Sequence, residues 1–486
     1  MAIIKTKNLS FRYPQSSENV LKNINIEIAS GELVLLMGKT GSGKSTFLRL
    51  LKSELAPKGE QSGIVEDNSE STAFVIQTPE LSFVAHKVRG ELAFALENKR
   101  YSSDKIALRI GEISSYFNIT ELLDSTVDEL SGGEKAVVSV AAAMIDNADV
   151  LIMDEPFSQL DPKAAAELLS LVKRINQELG VTVIISCHSC EGLVDICDRM
   201  IVLDNGTVIQ NSSPQNAVKN DKLLGFFPIY TALFDKRPLS VKDAVSLSVS
   251  LLEREYIPDD NKEIILQAKS ISFAYGRRQK DILSSLDLSV AKGSIHSIIG
   301  SNGSGKSTLL KAIAGINKCY SGRIKANGKI AYMPQDVRYL FTKDTVSEEI
   351  SPDTAEKFGL SSFLSRHPYD LSGGQMQMLA LAMLSEQSYD ILLLDEAARG
   401  LDFNAKNELK KYLKSITAQG KTVVFVSHDM DFVSEISDEI SFLSDGIITI
   451  TGDRRTVLSS LDFYTSTVRR ITRKHLKNAV SKGDLL

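Results

Sequence analysis

The chain has few cysteines, no excess of positive charge and no long hydrophobic run. Its 486 residues include four cysteines, Cys187, Cys190, Cys197 and Cys319. So few thiols argue against a disulfide scaffold and are typical of a reducing compartment. Cys187 and Cys190 have the spacing of a metal or redox pair, but no second pair stands opposite them. We therefore interpret the cysteines as buried structural thiols.

The net charge argues weakly against a nucleic-acid-binding protein, and the hydropathy argues against a secreted or membrane-spanning one. The net charge is −5, so the chain as a whole has no positive charge that would indicate binding to nucleic acid. A local basic patch is compatible with this net charge. The N-terminus lacks the apolar stretch of a signal peptide. Residues 136–153 come nearest to the ~18 apolar residues of a spanning helix, but they contain Asp146 and Asp149. We expect a soluble chain that reaches a membrane only through partners.

What the chain does contain is one series of short motifs, in the same order, twice. The phosphate-loop pattern G-x-x-x-x-G-K-S includes Lys44 and, 262 residues later, Lys306. The motif Leu-Ser-Gly-Gly begins at Leu130 and at Leu371, an offset of only 241. Short apolar runs alternate with helical stretches in both halves. We predict an α/β fold with two P-loop NTPase domains in tandem, each a mainly parallel core sheet with a helical subdomain, the second shortened.

Both glycine-rich loops follow an apolar run and precede a helical stretch, which is the full context of the phosphate-loop motif. The glycines let backbone amides close around phosphate oxygens, and the lysines reach the β and γ phosphates. We predict that ATP is bound by Gly38, Lys39, Thr40, Gly41, Ser42, Gly43, Lys44, Ser45 and Thr46, and by Gly300, Ser301, Asn302, Gly303, Ser304, Gly305, Lys306, Ser307 and Thr308. Upstream, Tyr13 and Tyr275 are candidates to stack on adenine, with core packing as the alternative.

Two carboxylate pairs close later apolar runs. Asp154 and Asp395 are predicted to hold Mg²⁺ together with the loop residues Ser45 and Ser307. A helix cap is the alternative role for one carboxylate of each pair.

The residue after each of these aspartates is a glutamate. Glu155 and Glu396 are predicted to polarise the attacking water. His188 and His428 recur in register at the ends of the next predicted strands. We predict that they contact the γ-phosphate.

Leu-Ser-Gly-Gly, present twice, resembles the signature of the ATP-binding cassette (ABC) family. The family's order of phosphate loop, glutamine loop, signature, Asp-Glu strand, D-loop and switch histidine occurs in both halves, and the resemblance covers nearly the whole chain. It implies an internal pseudo-dimer in which each ATP lies between one domain's phosphate loop and the other domain's signature. It adds these site residues: Gln77, Gln335, Ser131, Gly132, Gly133, Ser372, Gly373, Gly374, and the D-loops 158–161 and 399–402.

The predicted domains are residues 1–234 and 263–460, both ATP-binding, with a linker at 235–262 and a basic C-terminal tail at 461–486. The linker is placed where periodicity weakens, and its charged portion contains Glu255, Asp259 and Asp260. The tail includes the basic stretch 469–477. A solvated terminal helix and a contact with RNA or anionic lipid are the alternatives for that stretch.

Residues 77–98, 237–244 and 334–349 are similar to the ATPases of energy-coupling factor (ECF) transporters, some of which carry both ATPase domains on one chain. The similarity implies import of a vitamin or a transition-metal ion at the cytoplasmic face of the cell membrane. The implied partners are a membrane-embedded coupling protein and a solute-binding subunit. Glu80 and Asp336 match acids that receive arginines of the coupling protein, with solvated surface acids as the alternative.

Some positions depart from the family pattern. An arginine common after the signature is absent from both copies, and Ala397 stands where the first copy has Pro156. We predict two competent sites whose rates can differ. The alternative function is a soluble tandem ABC protein acting on ribosomes or nucleic acid, but such proteins usually have a long charged helical linker. A DNA-repair ATPase would need a coiled-coil or zinc-binding insertion, and the sequence contains neither.

Overall fold

The computed structural model describes residues 2–14, 16–158, 160–188, 190, 192–254, 263–276 and 279–486. Contacts divide the chain into two compact units, Met1–Ser240 (unit 1) and Val241–Leu486 (unit 2). Residues 255–262 of the expected linker and Gln159 of the first expected D-loop lie outside the described residues. The described part of the expected linker is divided between the units, and the expected tail belongs to unit 2.

Unit 1 begins with strands and alternates strands with helices thereafter. Its strands are β1 Ala2–Arg12, β2 Leu21–Ala29, β3 Leu33–Gly38, β4 Glu60–Asp67, β5 Thr72–Val75, β6 Val150–Asp154, β7 Thr182–Cys187, β8 Arg199–Asp204 and β9 Thr207–Ser212. Its α-helices are α1 Lys44–Leu50, α2 Val88–Asn98, α3 Ser103–Tyr116, α4 Gly132–Met144, α5 Pro162–Leu179 and α6 Pro214–Ala217.

The strands of unit 1 form two sheets. In the described part of the chain the larger has the order β5-β6-β7-β3-β8-β9, and it is parallel except for the β8–β9 pair. The smaller sheet, β2-β1-β4, is antiparallel. Alternate residues of β3 enter different cores: Leu35 packs in the cluster with the helices, and Val34 and Leu36 pack in the cluster with β1 and β2. Burial on both faces explains why the central strands are continuous apolar runs.

Unit 2 repeats this series after an additional first helix, α7 Val241–Leu247. Its strands are β10 Ile264–Phe273, β11 Leu283–Ala291, β12 Ile295–Ile299, β13 Ser321–Ala326, β14 Ile330–Met333, β15 Ile391–Asp395, β16 Thr422–Val426, β17 Glu439–Ser444 and β18 Ile447–Asp453. Its remaining α-helices are α8 Lys306–Ile313, α9 Val346–Glu349, α10 Pro352–Lys357, α11 Gly373–Ser385, α12 Phe403–Ala418, α13 Met430–Ile436, α14 Arg454–Ser460 and α15 Thr467–Thr472.

The sheet orders of unit 2, β14-β15-β16-β12-β17-β18 and β11-β10-β13, match those of unit 1 strand for strand within the described residues. The units differ in the segment between β5 and α4 of unit 1 and in the corresponding segment between β14 and α11 of unit 2. There unit 1 has α2 and α3, 11 and 14 residues long, where unit 2 has α9 and α10, 4 and 6 residues long. The predicted α/β fold with two tandem domains and a shortened second helical segment is confirmed.

Local sequence explains where the long helices begin. Asp161 caps α5 by accepting a hydrogen bond from the Ala164 amide at 2.9 Å, and Pro162 occupies the first helical position. Asp402 caps α12 in the same way, accepting from the Ala405 amide at 2.9 Å. The expected D-loops therefore end in helix caps.

The C-terminal segment 461–486 is packed into unit 2. Asp484 is fully buried, and its carboxylate accepts hydrogen bonds from Arg454 at 2.7 Å and from the Ser481 amide at 2.8 Å. The Arg254 amide donates to the Asp484 carbonyl at 2.9 Å. In α15 the side chain of Ile471 is fully buried. The apolar side of α15 is therefore interior, whereas the side chains of Arg473, Lys474, His475 and Lys477 are exposed.

Three further findings concern membrane-spanning helices, the cysteines and possible metal-binding groups. No helix among the described residues is both long and apolar enough to cross a membrane. All four cysteines are free thiols, and Cys187, Cys190 and Cys197 are buried. Burial raises the pKa of the Cys197 thiol to about 12 and also raises that of Cys187. Within the described ranges no group of three or more His, Cys, Asp or Glu side chains could hold a metal ion.

Candidate functional site

The two glycine-rich loops connect β3 to α1 and β12 to α8, as the motif predicts. Gly43 and Gly305, directly before these helices, have φ angles of 100° and 104°, in the region that disfavours side chains. A Cβ on Gly305 would also lie 2.9 Å from the carbonyl oxygen of Ile282, and one on Gly43 would lie 3.1 Å from that of Val20. Glycine is therefore required at this point of the loop for two independent reasons.

Each loop lysine is buried and folds back onto its own loop. Nζ of Lys44 donates to the Gly38 carbonyl at 2.9 Å, and Nζ of Lys306 donates to the Gly300 carbonyl at 3.0 Å. Burial lowers the pKa of Lys44, an effect that Glu155 opposes. Such a desolvated cation interacts strongly with a phosphate, because less water screens it.

Two hydroxyls test whether the loops fit a phosphate. The buried Oγ atoms of Ser42 and Ser304 make no hydrogen bond with described residues. Buried polar groups normally have a partner, and a phosphate oxygen would supply one at the same place in both loops. The two loops therefore fit the predicted ligand.

In unit 1 the predicted water-polarising residue lies at the centre of a polar cluster. Oε1 of Glu155 lies 2.7 Å from Nε2 of His188 and 3.6 Å from Nζ of Lys44. Oε2 of Glu155 accepts a hydrogen bond from Nε2 of Gln77 at 3.1 Å. Burial by itself raises the pKa of Glu155, but His188 and Lys44 outweigh it and hold the pKa below its usual value. The carboxylate is therefore charged at neutral pH and able to accept a proton from water.

In unit 2 the corresponding glutamate and histidine are also close. Nδ1 of His428 lies 2.9 Å from Oε2 of Glu396, outside hydrogen-bond geometry. Gln335 is exposed and, within the described ranges, makes no hydrogen bond to Glu396. Of the two predicted glutamines, the structure brings only Gln77 to its glutamate.

Both glutamates have a strained backbone. Glu155 has φ 49° and Glu396 has φ 56°, a left-handed conformation that is uncommon for residues other than glycine. Such conformations cost about 1–3 kcal/mol and cluster at functional sites. The chain turns sharply here, directly after the aspartate that ends β6 or β15, and neither carboxylate of the pair caps the helix that follows.

The two aspartates are almost fully buried and have different neighbours. Oδ1 of Asp154 accepts from the Ser186 hydroxyl at 2.6 Å. Oδ1 of Asp395 accepts from the Ser307 hydroxyl at 3.0 Å, and Oδ2 accepts from Tyr332 at 3.4 Å. Burial raises the pKa of Asp395 to about 6; the Ser307 hydrogen bond opposes this shift and Glu396 adds to it.

Oxygen ligands such as these suit Mg²⁺. In unit 2 the predicted ligands Ser307 and Asp395 are already within 3.0 Å of each other. Asp154 and Ser45 are the corresponding residues of unit 1. Bound there, the ion would neutralise phosphate charge.

The signature serines begin helices. Ser131 caps α4 and Ser372 caps α11, each in a reciprocal capping box, with Glu134 in the first and Gln375 in the second. A Cβ on Gly133 would lie 2.7 Å from the Cβ of Ala164. The second glycine of the first signature therefore allows α4 to approach α5 closely.

The two upstream tyrosines lie beside the loops. The hydroxyl of Tyr13 is 3.0 Å from Oγ1 of Thr46, and that of Tyr275 is 3.3 Å from Oγ1 of Thr308. The Tyr275 ring is 62% exposed. The exposure of Tyr275 suits stacking on a base. Tyr13 is half-buried and packs against the core formed with β1 and β2, as in the alternative role.

Sequence reasoning missed Ser186 and Tyr332, the two residues that donate to the aspartates from neighbouring strands. Ser186 lies in an apolar strand pattern that hides a polar role. A difference between the two halves of the sequence could have indicated it. Two residues before the histidine, the first half has Ser186 and the second half has Val426.

A sequence profile of the ABC transporter family matches residues 21–158 and 283–399, which contain both loops, both signatures and both Asp-Glu pairs. The chain belongs to this family. It is an ABC transporter ATP-binding subunit with two ABC domains in tandem.

Relatives of this ABC ATPase match it along its whole length. The "Putative ABC transporter ATP-binding protein" of Bacillus anthracis is 34% identical, with 100% of this chain and 98% of the relative covered. The "Putative HMP/thiamine import ATP-binding protein YkoD" of Bacillus subtilis is 29% identical, covering 93% of this chain and 91% of the relative.

A solved structure also matches both units. The archaeal ribosome recycling factor aABCE1, crystallised with ribosomal stalk protein aP1, is 22% identical with a TM-score of 0.64. The match covers 93% of this chain and 91% of that chain. At this identity the likeness shows the fold alone.

Proposed function

We propose that this chain is the ATPase subunit of an importer of the energy-coupling factor type, which takes up a vitamin or a transition-metal ion through separate membrane subunits. The likeness to the HMP/thiamine import protein of Bacillus subtilis carries the proposal, because it extends over 93% of this chain and includes both ATPase halves. HMP and thiamine are therefore the first solutes to test. The chain would act at the cytoplasmic face of the membrane.

The residues of each unit suit ATP hydrolysis. Lys44 and Lys306 are buried cations within loops that fit phosphate. Glu155 is a charged carboxylate with His188 at 2.7 Å, and Glu396 has His428 at 2.9 Å. A carboxylate in this position orients water and accepts its proton, while the cations stabilise charge on the phosphates.

The expected coupling acids differ in how they are paired. Glu80 is 43% exposed in its side chain and lies 3.7 Å from Nζ of Lys135, the second residue after the signature glycines. Asp336 accepts two hydrogen bonds from the Arg338 guanidinium, at 2.8 and 2.7 Å. An incoming arginine competes more easily with one distant ammonium than with a two-point guanidinium contact. Glu80 should therefore contribute more to partner binding than Asp336.

Next to Glu80 the surface of unit 1 has a small cavity suited to an arginine side chain. Its volume is ≈ 120 Å³, and it is lined by Glu80, Phe83, Ala85, His86, Val127, Asp128 and Lys135. The two carboxylates favour a cationic side chain, which would have to compete with Lys135 for Glu80.

The experiment is a tagged pull-down from the organism's own membranes in mild detergent. We expect small polytopic membrane proteins in near-stoichiometric yield with the natural chain, and at least about tenfold less with Glu80→Lys. Asp336→Lys should lose less. Glu54→Lys, which changes an exposed acid elsewhere in unit 1, is the control and should retain the partners.

Recovery of ribosomes or nucleic acid without membrane proteins would contradict the importer proposal and favour the translation-associated alternative. Retention of all membrane partners by Glu80→Lys would instead contradict only the role of that acid.

A further inference from the structure

A hydroxyl from a neighbouring strand donates to each of the predicted metal-binding aspartates. In unit 1 this hydroxyl belongs to Ser186, which is fully buried near the end of β7. Its Oγ donates to Oδ1 of Asp154 at 2.6 Å and accepts from the Glu155 amide at 2.9 Å. A hydroxyl has one proton and two acceptor positions. Because the amide occupies an acceptor side, the proton is directed to Asp154.

In unit 2 the corresponding strand position cannot do this. Asp395 pairs with Val426 in the same register in which Asp154 pairs with Ser186. Besides Ser307 of the phosphate loop, which donates to Oδ1 of Asp395 at 3.0 Å, a hydroxyl comes from Tyr332 on β14, the strand on the opposite side of β15. It donates to Oδ2 of Asp395 at 3.4 Å.

Unit 1 has no hydroxyl at the place of Tyr332. Phe74 pairs with Ile152 two residues before Asp154, in the register in which Tyr332 pairs with Leu393 two residues before Asp395. Phe74 and Tyr332 are both half-buried. The two units therefore hold the same carboxylate from opposite neighbouring strands.

We propose that Ser186 and Tyr332 are positioning residues that orient the Mg²⁺-holding aspartates. The inference rests on the proposed ATPase function. Groups that hydrogen-bond a metal ligand fix its orientation, and their loss typically costs about 10–100-fold in metal affinity or activity. The hydrogen bond from Ser186 to Asp154 is 2.6 Å long, and that from Tyr332 to Asp395 is 3.4 Å long.

Ser186 also makes a second hydrogen bond, to the backbone of the neighbouring glutamate. It binds the amide of Glu155, whose backbone is in the left-handed region at φ 49°. In both units the glutamate amide also donates to the backbone carbonyl of the neighbouring strand, to that of Ser186 at 3.2 Å and to that of Val426 at 3.0 Å. The valine offers no side-chain acceptor in addition. One side chain in unit 1 thus connects the metal-binding aspartate to the water-polarising glutamate, so its loss should affect both metal binding and turnover.

The test uses the full chain with Glu396→Gln, so that turnover depends on Glu155. Three variants are made in this parent. Ser186→Val introduces the residue that unit 2 has at this position, and Ser186→Thr keeps a hydroxyl. The double variant Ser186→Val with Phe74→Tyr transfers the arrangement of unit 2. The readouts are kcat and the KM for ATP at saturating Mg²⁺, the Mg²⁺ concentration for half-maximal turnover, and Mn²⁺ binding by electron paramagnetic resonance with a non-hydrolysable ATP analogue.

We expect Ser186→Val to raise the Mg²⁺ concentration for half-maximal turnover about tenfold. The affinity for one of the two bound Mn²⁺ ions should fall by about the same factor, and the KM for ATP should be nearly unchanged. Ser186→Thr should stay within about twofold of the parent, and Phe74→Tyr should recover part of the loss. An unchanged Mg²⁺ dependence in Ser186→Val, or an equal loss in Ser186→Thr, would overturn the proposal.

Should Ser186→Val fail to fold, Tyr332→Phe in a Glu155→Gln chain tests the same idea in unit 2. The expected rise in the Mg²⁺ requirement is about threefold there, because the replaced contact is longer, and no rise would overturn the role of Tyr332. A Glu396→Gln parent that binds no nucleotide would contradict the proposed ATPase function itself rather than this inference.

Discussion

The two units have the same sheets in the same strand order, yet they differ in what surrounds those sheets. Between the glutamine and the signature serine, unit 1 has helices of 11 and 14 residues and unit 2 has helices of 4 and 6. Unit 2 has in exchange a C-terminal segment folded onto it, centred on the buried Asp484. The sheet from which both phosphate loops extend is therefore repeated, whereas the segments around it are not.

The same contrast extends into the sites. The phosphate loops are alike to within 0.1 Å at the lysine contact, 2.9 Å for Lys44 and 3.0 Å for Lys306. The support of the aspartates differs in both residue and strand. The lysine contacts of the loops are therefore repeated, whereas the strand residues that hydrogen-bond the two aspartates are not.

The largest expected effect tests whether both glutamates catalyse. Replacing Glu155 and Glu396 together by Gln should lower turnover at least about 100-fold, because general-base catalysis contributes about 10²–10⁴. Binding of a fluorescent ATP analogue should persist, because the phosphate loops are unchanged. The measurement is phosphate release alongside that binding.

The two single variants then show how far the comparison extends. Equal losses in Glu155→Gln and Glu396→Gln would mean that the structural differences between the sites have no kinetic consequence. Full turnover in the double variant would contradict the assignment of both glutamates.

The second effect concerns the segment that only unit 2 has. Asp484→Asn should lower the free energy of unfolding of unit 2 by about 3 kcal/mol, because it leaves Arg454 and Arg455 facing a neutral group in the interior. Calorimetry should show the transition of unit 2 at lower temperature and that of unit 1 unchanged. Asp462→Asn, in the same segment but 80% exposed beside Arg473, should change little.

The contribution of Asp484 should depend on pH. Burial raises its pKa, but Arg454, Ser481 and Arg455 outweigh this and hold the pKa below its usual value. A depressed pKa stabilises the fold above the unfolded value, about 3.9, and this stability is lost as pH falls through the folded value. The gap in melting temperature between the natural chain and Asp484→Asn should therefore be constant near neutrality and shrink below about pH 4. A gap that widens on acidification would contradict this account.

The smallest effect tests a one-residue departure between the sites. Pro156 follows Glu155, whereas a buried alanine, Ala397, follows Glu396. Pro156→Ala should lower the free energy of unfolding of unit 1 by about 0.5 kcal/mol, because the unfolded chain gains freedom. Urea titration measures the change. A gain in stability would mean that the proline is strained in the folded state.

The sequence by itself determined the elements whose geometry is local. The glycines, lysine and serine of each phosphate loop impose one backbone path, the apolar runs require burial on both faces, and Asp161 and Asp402 cap the helices that follow. The repeat also predicted the shortened second helical segment. The pairing of one half's phosphate loop with the other half's signature stays a prediction.

Only the tertiary structure decided which side chains meet across long separations in the chain. Ser186 reaches Asp154 from 32 residues away and Tyr332 reaches Asp395 from 63. Glu253 contacts the amide of Asn478 from 225 residues away. Such contacts follow from strand order and packing, because a hydroxyl or carboxylate inside an otherwise ordinary segment has no local pattern that reveals its partner. The motifs of the two predicted sites were therefore recognisable along the chain, whereas the contacts that distinguish those sites depend on the order of the strands in the sheet.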